Sequence, residues 1–430
     1  MNFFRVDSEL ARHSYYDATV QRTQGFAALQ SGLSCDVAVV GGGLAGLSAA
    51  IELADRGYSV ALLEARQVGS GASGRNGGQA LAGLACDQST IEAQLGMDAS
   101  RRIWAMTLEA IDLIAQRCAR FDIDCEWQPG YLSLAINARK ARELRQWHAH
   151  LQAHYGDASQ WIEPNDLPQW IASPRFHSGL YDARSGHLHP LKYTLGLARA
   201  AAGLGVRIFE NTTVTELLPG PVTRLRTHAG EVRASHVLLA GNVYLQGLAA
   251  QLQPRIMPVG TYIVASAPVA PEVMKSLIPS RSAVCDTNFV LDYFRPTADH
   301  RMLYGGRVSY STATPINLAA SMQRRMARSF PQLADTPAEY AWGGFVDISM
   351  NRAPDFGRLA DNVYYLQGFS GHGLALTGLA GKVVAEAIAG NAERFDVFAR
   401  IRHRKFPGGR LLRTPALVLG MAYYQLRDML

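Results

Sequence analysis

Three glycines, Gly41, Gly43 and Gly46, have the spacing of a phosphate-binding loop. In a GxGxxG loop the first glycine permits a tight turn, the second lets a pyrophosphate approach the backbone, and the third allows a helix to pack closely on a strand. Glu64 follows 18 residues after Gly46, where a carboxylate can accept hydrogen bonds from ribose hydroxyls. The pattern predicts dinucleotide binding, and a purely structural glycine turn is the alternative.

The residues around this loop supply the elements that would position it. Residues 35–40 form an apolar, β-rich run, residues 44–54 carry apolar side chains at helical spacing, and residues 58–64 form a second apolar run. Gly57 lies where the C-terminus of a helix favours a left-handed residue. A strand, a helix and a strand within about 30 residues form a βαβ unit, which predicts a parallel sheet.

The choice of dinucleotide depends on other glycine-rich stretches. An acid rather than an arginine at position 64 disfavours NADP and leaves NAD and FAD open. Residues 70–79 (SGASGRNGGQ) follow the second strand directly, and residues 368–374 (GFSGHGL) precede a helical pattern near the C-terminus. Two sites where a ligand can approach the backbone, one near each end of the chain, favour a long buried cofactor such as FAD.

The order of the segments predicts two domains. Strands of the parallel type occur near both ends of the chain, whereas residues 262–265 and 289–294 are β-rich and suggest antiparallel strands of a second domain. We therefore expect an α/β fold in which a Rossmann-like FAD-binding domain is assembled from discontinuous segments and an antiparallel-sheet substrate domain is inserted between them. The predicted ranges are 1–92, 175–245 and 345–398 for the FAD-binding domain, 93–174 and 246–344 for the substrate domain, and 399–430 for a basic C-terminal tail that packs on the body.

Composition and charge exclude several classes of protein. The net charge is +6, and residues 400–413 contain six basic residues and no acid, so the rest of the chain is close to neutral. A nucleic-acid partner is therefore not expected. The five cysteines are scattered and never form a CxxC pair, which fits a reducing cytoplasm. We expect no signal peptide and no integral membrane segment; weak binding of the tail to acidic lipids is the alternative to its packing on the body.

The glycine motifs together resemble those of the D-amino-acid oxidase/glycine oxidase/sarcosine oxidase family of FAD enzymes. The likeness to one amine-oxidising branch extends over almost the whole chain, through GHLHPL (186–191), LDYFR (291–295), FPGGR (406–410) and AYYQLRD (422–428). It implies oxidative deamination of a primary amine, gamma-glutamylputrescine, to an aldehyde with ammonia and hydrogen peroxide, and oxygen as the electron acceptor.

The resemblance also implies which residues hold FAD. They are Gly41, Gly43, Gly46 and Glu64 for the ADP half, Ser73, Arg75, Asn76, Gly77 and Gly78 along the pyrophosphate and the flavin edge, the backbone of Val214 at the adenine, Gly241 near the pyrophosphate, and Gly371, His372, Gly373 and Leu374 on the pyrimidine side of the flavin. The sarcosine oxidase branch attaches FAD through a cysteine, and the matching residues 345–350 (FVDISM) contain none, so we expect non-covalent FAD. That branch also has a lysine beside the flavin, and residues 302–306 (MLYGG) offer none, which leaves other electron acceptors open.

Flavin chemistry requires little of the side chains, so no acid–base pair is expected. The candidates for contact with the substrate or the flavin are His372, Arg307, Tyr262, Trp342, Tyr293 and Phe294. A backbone role is the alternative for His372, and core packing is the alternative for the aromatic residues. Arg307 would bind the glutamyl carboxylate, or else form a surface salt bridge.

The sequence argues against a metal site and leaves two alternative functions open. His187 and His189 have the spacing of a metal pair, but no third ligand joins them, so no metal is expected. The alternative enzyme is an FAD-dependent dehydrogenase that oxidises an amino acid or hydroxy acid and passes electrons to a quinone. The non-enzymatic alternative is a binding protein in which FAD is structural or senses redox state.

Overall fold

Two β-sheets organise the residues that the computed structural model describes, which are 3–288, 290–309 and 317–407; the side chains of residues 3–6 and 307–309 are not described. In chain order the strands are β1 (Leu33–Val40), β2 (Val60–Leu63), β3 (Gln79–Ala80), β4 (Gln128–Ala135), β5 (Gln160–Ile162), β6 (Ser178–His187), β7 (Arg207–Phe209), β8 (Val214–Leu218), β9 (Thr223–Thr227), β10 (Glu231–Leu239), β11 (Ile256–Ser266), β12 (Ala283–Asp286), β13 (Tyr293–Pro296), β14 (Met302–Ser309), β15 (Ala338–Ser349), β16 (Asp355–Ala360) and β17 (Val363–Gln367). The helices are α1 (Phe3–Ala11), α2 (Tyr15–Thr19), α3 (Leu44–Asp55), α4 (Gln88–Leu95), α5 (Met97–Phe121), α6 (Ala138–Tyr155), α7 (Pro190–Gly203), α8 (Pro271–Leu277), α9 (Leu318–Ser329), α10 (Gly373–Ile388) and α11 (Glu393–Ala399).

The first sheet has the strand order β16-β17-β10-β1-β2-β7, and the hairpin β8–β9 extends it beside β10. The pairs β17–β10, β10–β1, β1–β2 and β2–β7 are parallel. Alternation along β1 directs Val37 and Val39 into a core with helices α3, α5, α7 and α10, and directs Ala38 and Val40 into a core on the opposite face. Burial of both faces explains the continuous apolar runs in these strands. The βαβ unit predicted from the sequence is present.

The second sheet has the order β15-β11-β14-β13-β12-β4-β6-β3, with β5 beside β6. Its pairs are antiparallel except for β12–β4. Leu132 and Leu134 of β4 pack with the Met322 and Met326 side chains of α9 on one face. Tyr131 of the same strand lies on the other face and borders a large cavity. The two sheets confirm the predicted α/β fold class.

The strand pairing differs in detail from the predicted domain ranges. Strand β6 falls within the range 175–245 that was assigned to the FAD-binding domain, yet it pairs with β4 in the second sheet. Helix α5 falls within the range 93–174 of the substrate domain, yet its apolar side chains join the core beneath the first sheet. Sequence order could not show this, because both segments pack against partners far away in the chain. The division into domains stays a prediction.

Two predicted elements have different limits in the structure. Helix α10, predicted as a helical pattern after the stretch 368–374, begins within that stretch at Gly373, because residues 374–376 are also buried in the core. Strand β13 begins only at Tyr293, and Phe289, which the prediction included in that strand, lies outside the described residues.

The first residues of the basic tail contact the rest of the protein. The side-chain amide of Asn351 donates a hydrogen bond to the Arg402 carbonyl at 3.0 Å, and the backbone N–H of Phe406 donates to the Pro254 carbonyl at 2.9 Å. Residues 408–430 lie outside the described part of the chain, so the packing of the whole tail stays a prediction. In the described part of the chain, no single helix is long and apolar enough to cross a membrane. Helices α10 and α11, joined at a bend of 118°, reach that length and composition only as a pair.

A candidate dinucleotide and substrate site

A cavity of about 1860 Å³ begins at the carboxyl ends of β1 and β2 and continues across one face of the second sheet. Crevices at this edge of a parallel sheet are where α/β proteins bind their ligands. Pockets for small organic ligands measure roughly 300–1,000 Å³. The cavity therefore has room for a dinucleotide and for a second molecule beside it.

The glycine loop between β1 and α3 has the geometry that the sequence predicts. Gly41 has a φ of +115°, and a side chain there would meet the Ala240 carbonyl at 2.8 Å. A side chain at Gly43 would lie 2.7 Å from Ser73 Oγ, and one at Gly46 would overlap the Gly41 carbonyl. Gly41 and Gly43 line the cavity, whereas Gly46 serves the packing of α3 on β1.

Glu64 lies at the end of β2, beside this loop. Its Oε2 accepts a hydrogen bond from the Gly42 N–H at 2.7 Å, and its Oε1 accepts one from the Arg66 N–H at 2.9 Å. The Glu64 carbonyl accepts a hydrogen bond from the Thr212 N–H, which brings the start of β8 at Val214 to the same end of the cavity. Burial raises the pKa of the Glu64 carboxyl. A carboxylate placed here can accept hydrogen bonds from ribose hydroxyls, so these residues fit the ADP half of FAD.

The glycine-rich stretch 70–79 faces the cavity only in part. Ser73, Asn76 and Gly77 line it, and so does Gly241, which follows the end of β10. The Asn76 side chain holds the turn together, because it donates to the Ala72 carbonyl at 3.0 Å and accepts from the Gly78 N–H at 2.8 Å.

Arg75 and Gly78 do not line this cavity, contrary to the expectation that they lie along the cofactor. The Arg75 guanidinium is directed away from the cavity and pairs with the buried carboxylate of Asp7. Gly78 packs so closely on the Leu188 carbonyl that a side chain would overlap it. Arg75 and Gly78 thus anchor the glycine-rich stretch to the protein on the side that faces away from the cavity.

The loop before α10 is held by Asp347, which is not among the candidates predicted from the sequence. The Asp347 carboxylate accepts hydrogen bonds from the backbone N–H groups of Gly368 and Phe369, the latter at 3.1 Å, and the Asp347 carbonyl accepts one from Ser370 at 2.9 Å. Burial raises the pKa of Asp347 to about 6. This arrangement places residues 371–374 and the N-terminus of α10 at the cavity.

His372 borders the cavity but is engaged with the backbone. Its Nε2 lies 3.1 Å from the Ala82 carbonyl, to which a neutral imidazole donates a hydrogen bond. Burial lowers the pKa of His372, so the ring is neutral near pH 7. The contact supports a positioning role for this loop.

The other substrate-contact candidates divide into those that face the cavity and those that face the core, because successive side chains of a strand point to opposite faces. Tyr293 lines the cavity, whereas Phe294 lies on the opposite face and stacks on Tyr304 with ring centres 5.3 Å apart. Tyr262 and Trp342 are 1% exposed, belong to the core and do not reach the cavity.

The remaining candidates are a cation and a pair of histidines. Arg307 lies in β14 opposite Tyr262, and its side chain is outside the described part of the structure. His187 Nε2 contacts the Arg281 carbonyl at 2.8 Å, whereas His189 Nδ1 accepts a hydrogen bond from the Lys192 N–H at 3.2 Å. Among the described residues no group of three histidine, cysteine, aspartate or glutamate side chains could hold a metal ion.

Helix α6 forms a wall of the cavity, although none of its residues is among the candidates predicted from the sequence. Lys140, Glu143, Trp147 and His150 line the cavity at positions 0, 3, 7 and 10 of one helical face. The i, i+3, i+7 spacing is visible in the sequence, but nothing near it in the chain indicates that this face meets a ligand site.

Comparison with known proteins agrees with this geometry. The family described as FAD dependent oxidoreductase (DAO) matches residues 36–387. Gamma-glutamylputrescine oxidoreductase of Escherichia coli (strain K12) is 40% identical over 418 residues, which cover 97% of this chain and 98% of that protein. The probable oxidoreductase OrdL of Haemophilus influenzae is 38% identical over 427 residues, which cover 98% of each chain.

The solved structure of glycine oxidase from Geobacillus kaustophilus has the same fold. It aligns with a TM-score of 0.70 and 22% identity over 83% of this chain and 95% of its own. The glycine loop between β1 and α3, the Glu64 carboxylate and the loop before α10 fit FAD. The residues that match the family include strands of both sheets. The resemblance found in the sequence is thereby confirmed, and the chain belongs to the DAO family of FAD dependent oxidoreductases.

Proposed function

We propose that this FAD-dependent enzyme oxidises the terminal primary amine of gamma-glutamylputrescine. The amine, oxygen and water would yield the aldehyde, ammonia and hydrogen peroxide. The observation that carries the proposal is the 40% identity to gamma-glutamylputrescine oxidoreductase of E. coli over 97% of the chain. The cavity supports it, because it continues beyond the residues that fit FAD and leaves space for an elongated substrate.

The residues around the first sheet would hold the cofactor. Gly41, Gly43 and Glu64 would bind the ADP half, with Val214 at the adenine. When bound, FAD supplies the hydride acceptor for the carbon that bears the amine. The N-terminus of α10 presents backbone N–H groups and the positive end of its dipole to the cavity, which stabilises negative charge at that end.

The second sheet would supply a neutral wall beside the reacting carbon. Tyr293, Cys285 and Tyr131 line the cavity on adjacent strands. Burial raises the pKa of the Cys285 thiol to about 12 and raises the pKa values of both tyrosines. These three groups are therefore uncharged near pH 7. Such a wall favours the neutral amine over the ammonium ion, so turnover should increase with pH as the substrate loses its proton.

The test is reduction of the bound flavin under anaerobic conditions, followed by steady-state assays in air. We expect gamma-glutamylputrescine to bleach the flavin and to give a kcat/KM at least tenfold higher than free putrescine, because the glutamyl group adds contacts that position the amine. Hydrogen peroxide should form in equal amount to the aldehyde. Equal activity on both amines, or activity confined to α-amino acids, would contradict the proposed substrate. Bleaching of the flavin by gamma-glutamylputrescine without formation of peroxide in air would support the proposed substrate and show that the electron acceptor is not oxygen.

A further inference from the structure

We propose that helix α6 carries a subsite for the α-amino acid end of the substrate, in which Lys140 binds the α-carboxylate and Glu143 binds the α-ammonium group. This inference rests on the proposed function, since it concerns the part of gamma-glutamylputrescine that does not react. It replaces Arg307 as the candidate cation for the glutamyl carboxylate.

The second sheet connects the neutral wall with α6. Gly305, Tyr293, Cys285 and Ser133 lie directly opposite one another on the consecutive strands β14, β13, β12 and β4. The two steps from Tyr293 to Ser133, between strands about 4.8 Å apart, span roughly 10 Å. Ser133 is near the end of β4, and α6 begins three residues after that strand ends. The row therefore leads from the neutral wall to the helix.

The length of the substrate suits this distance. Eight bonds separate the carbon that bears the reacting amine from the glutamyl α-carbon. An extended chain covers about 1.2 Å per bond, which gives about 10 Å. A substrate that lies along the row with its amine end near Tyr293 would bring its amino acid end to the first turns of α6.

Lys140 and Glu143 offer opposite charges at the spacing that an amino acid requires. Lys140 Nζ lies 3.5 Å from Glu143 Oε2, and both side chains line the cavity. The Lys140 side chain is 12% exposed and the Glu143 side chain is 51% exposed. Asn137 Oδ1 accepts a hydrogen bond from the Lys140 N–H at 2.9 Å, so the helix start that carries the lysine is held in place. A carboxylate and an ammonium group on one carbon can insert between these two side chains with each charge opposite its complement.

The neighbouring charged groups do not provide the same pair. His150 Nε2 is 2.7 Å from Glu92 Oε1, but Glu92 does not line the cavity, so this pair does not present both charges there. Arg139 Nη1 is 3.3 Å from Glu143 Oε1, but the arginine does not line the cavity. Arg139 is therefore a matched control, because it is a cation that precedes Lys140 on the same helix and contacts the same glutamate.

The experiment compares three variants of the FAD-loaded enzyme, Lys140→Met, Glu143→Gln and the control Arg139→Met, on three amines. Gamma-glutamylputrescine carries both head charges, glutarylputrescine lacks the α-ammonium group, and butanoylputrescine lacks both. We expect Lys140→Met to lower kcat/KM about tenfold on the first two amines, through KM, and to leave butanoylputrescine unchanged. Glu143→Gln should lower it about threefold on gamma-glutamylputrescine alone, since its side chain is half exposed. Arg139→Met should change none of them by more than about twofold.

Other results would overturn the subsite. A Lys140→Met variant that affects all three amines equally, or none of them, removes the lysine from recognition of the head. A loss as large in Arg139→Met would show that only the general charge of α6 matters. If none of the three amines reduces the flavin of the unaltered enzyme, the proposed function itself is wrong. This outcome differs from those that overturn only the subsite.

Discussion

Asp7 and Arg75 form a bidentate ion pair in the interior of the protein. The distances from Arg75 Nη1 to Asp7 Oδ1 and from Nη2 to Oδ2 are both 3.0 Å, and the two residues are 0% and 5% exposed. The Tyr244 hydroxyl donates a further hydrogen bond to Asp7 at 2.8 Å. The pair joins helix α1 to the glycine-rich stretch whose other side faces the cavity.

Substitution of Asp7 by asparagine should destabilise the protein strongly. Removal of one partner leaves the Arg75 charge buried without its counter-ion, which costs about 3–5 kcal/mol. Denaturant unfolding of the FAD-saturated protein measures the effect. Asp17→Asn is the control, because Asp17 is 47% exposed and pairs with Arg22 at 3.4 Å, and exposed pairs contribute less than about 1 kcal/mol. Equal losses in the two variants would refute a structural role for the buried pair.

Changes at Glu64 should act on retention of the cofactor. Glu64→Arg places a bulky cation where the ribose hydroxyls need an acceptor, so we expect this variant to purify without FAD. Glu64→Gln keeps one acceptor oxygen and should raise the Kd for FAD about tenfold. Titration of the stripped protein with FAD gives the Kd, with Glu216→Gln as a control on an exposed pair with Arg226. Full FAD occupancy in Glu64→Arg would show that this carboxylate does not contact the cofactor.

The flavin should be released by acid precipitation. The stretch 345–350 contains no cysteine, and burial raises the pKa values of the cavity-lining thiols Cys86 and Cys285 to about 12, which keeps them protonated and unreactive. The yellow colour should therefore pass into the supernatant. Flavin absorbance that stays with the denatured chain would demonstrate a covalent bond.

Stability should depend on the neutral form of His189. Burial, with the Arg295 charge nearby, lowers the pKa of His189 to about 3, whereas an unfolded histidine titrates near about 6.5. The folded protein therefore resists this protonation, and the contribution of His189 to stability is complete above the unfolded pKa and is lost as the pH falls toward 3. The loss between pH 7 and pH 5 should be about 2 kcal/mol.

His189→Asn should remove this loss, because asparagine does not titrate and can still accept the hydrogen bond from the Lys192 N–H at the start of α7. Denaturant unfolding at the two pH values tests the prediction. The variant should gain about 2 kcal/mol relative to the unaltered protein on acidification. A difference between the two proteins that stays constant with pH would argue against a buried neutral histidine.

Truncation tests whether residues 400–407, the first residues of the tail, stabilise the protein. Removal of everything after Ala399 deletes the contacts of Arg402 and Phe406 with the body, including the hydrogen bond from the Arg402 N–H to Gln94 Oε1 at 2.9 Å. We expect a Tm lower by several degrees. Truncation after Pro407 keeps these contacts and is the matched control. An unchanged Tm after the longer truncation, combined with loss of binding to anionic vesicles, would favour a membrane role for the tail instead.

Several features of this protein could be derived from the sequence alone. The turn at Gly41, the close approach at Gly46 and the acid at Glu64 lie within about 30 residues. Their spacing reflects backbone requirements that neighbouring residues impose on one another, so the dinucleotide unit followed from it. The glycine-rich stretches 70–79 and 368–374 then favoured FAD over NAD. The family resemblance added the assignment of individual residues to the parts of FAD.

The tertiary structure decided which side chains meet the cavity. Arg75 lies in the middle of a glycine-rich stretch, and only its pairing with Asp7, 68 residues away, shows that it faces the core. Tyr293 and Phe294 point to opposite faces of β13, as neighbours in any strand do, but only the packing of the sheet decides that Tyr293 faces the cavity and Phe294 the core. Lys140 and Glu143 became candidate ligands only when α6 was seen to cover the cavity. Local backbone geometry depends on neighbouring residues, whereas the orientation of a side chain depends on partners that only folding brings together.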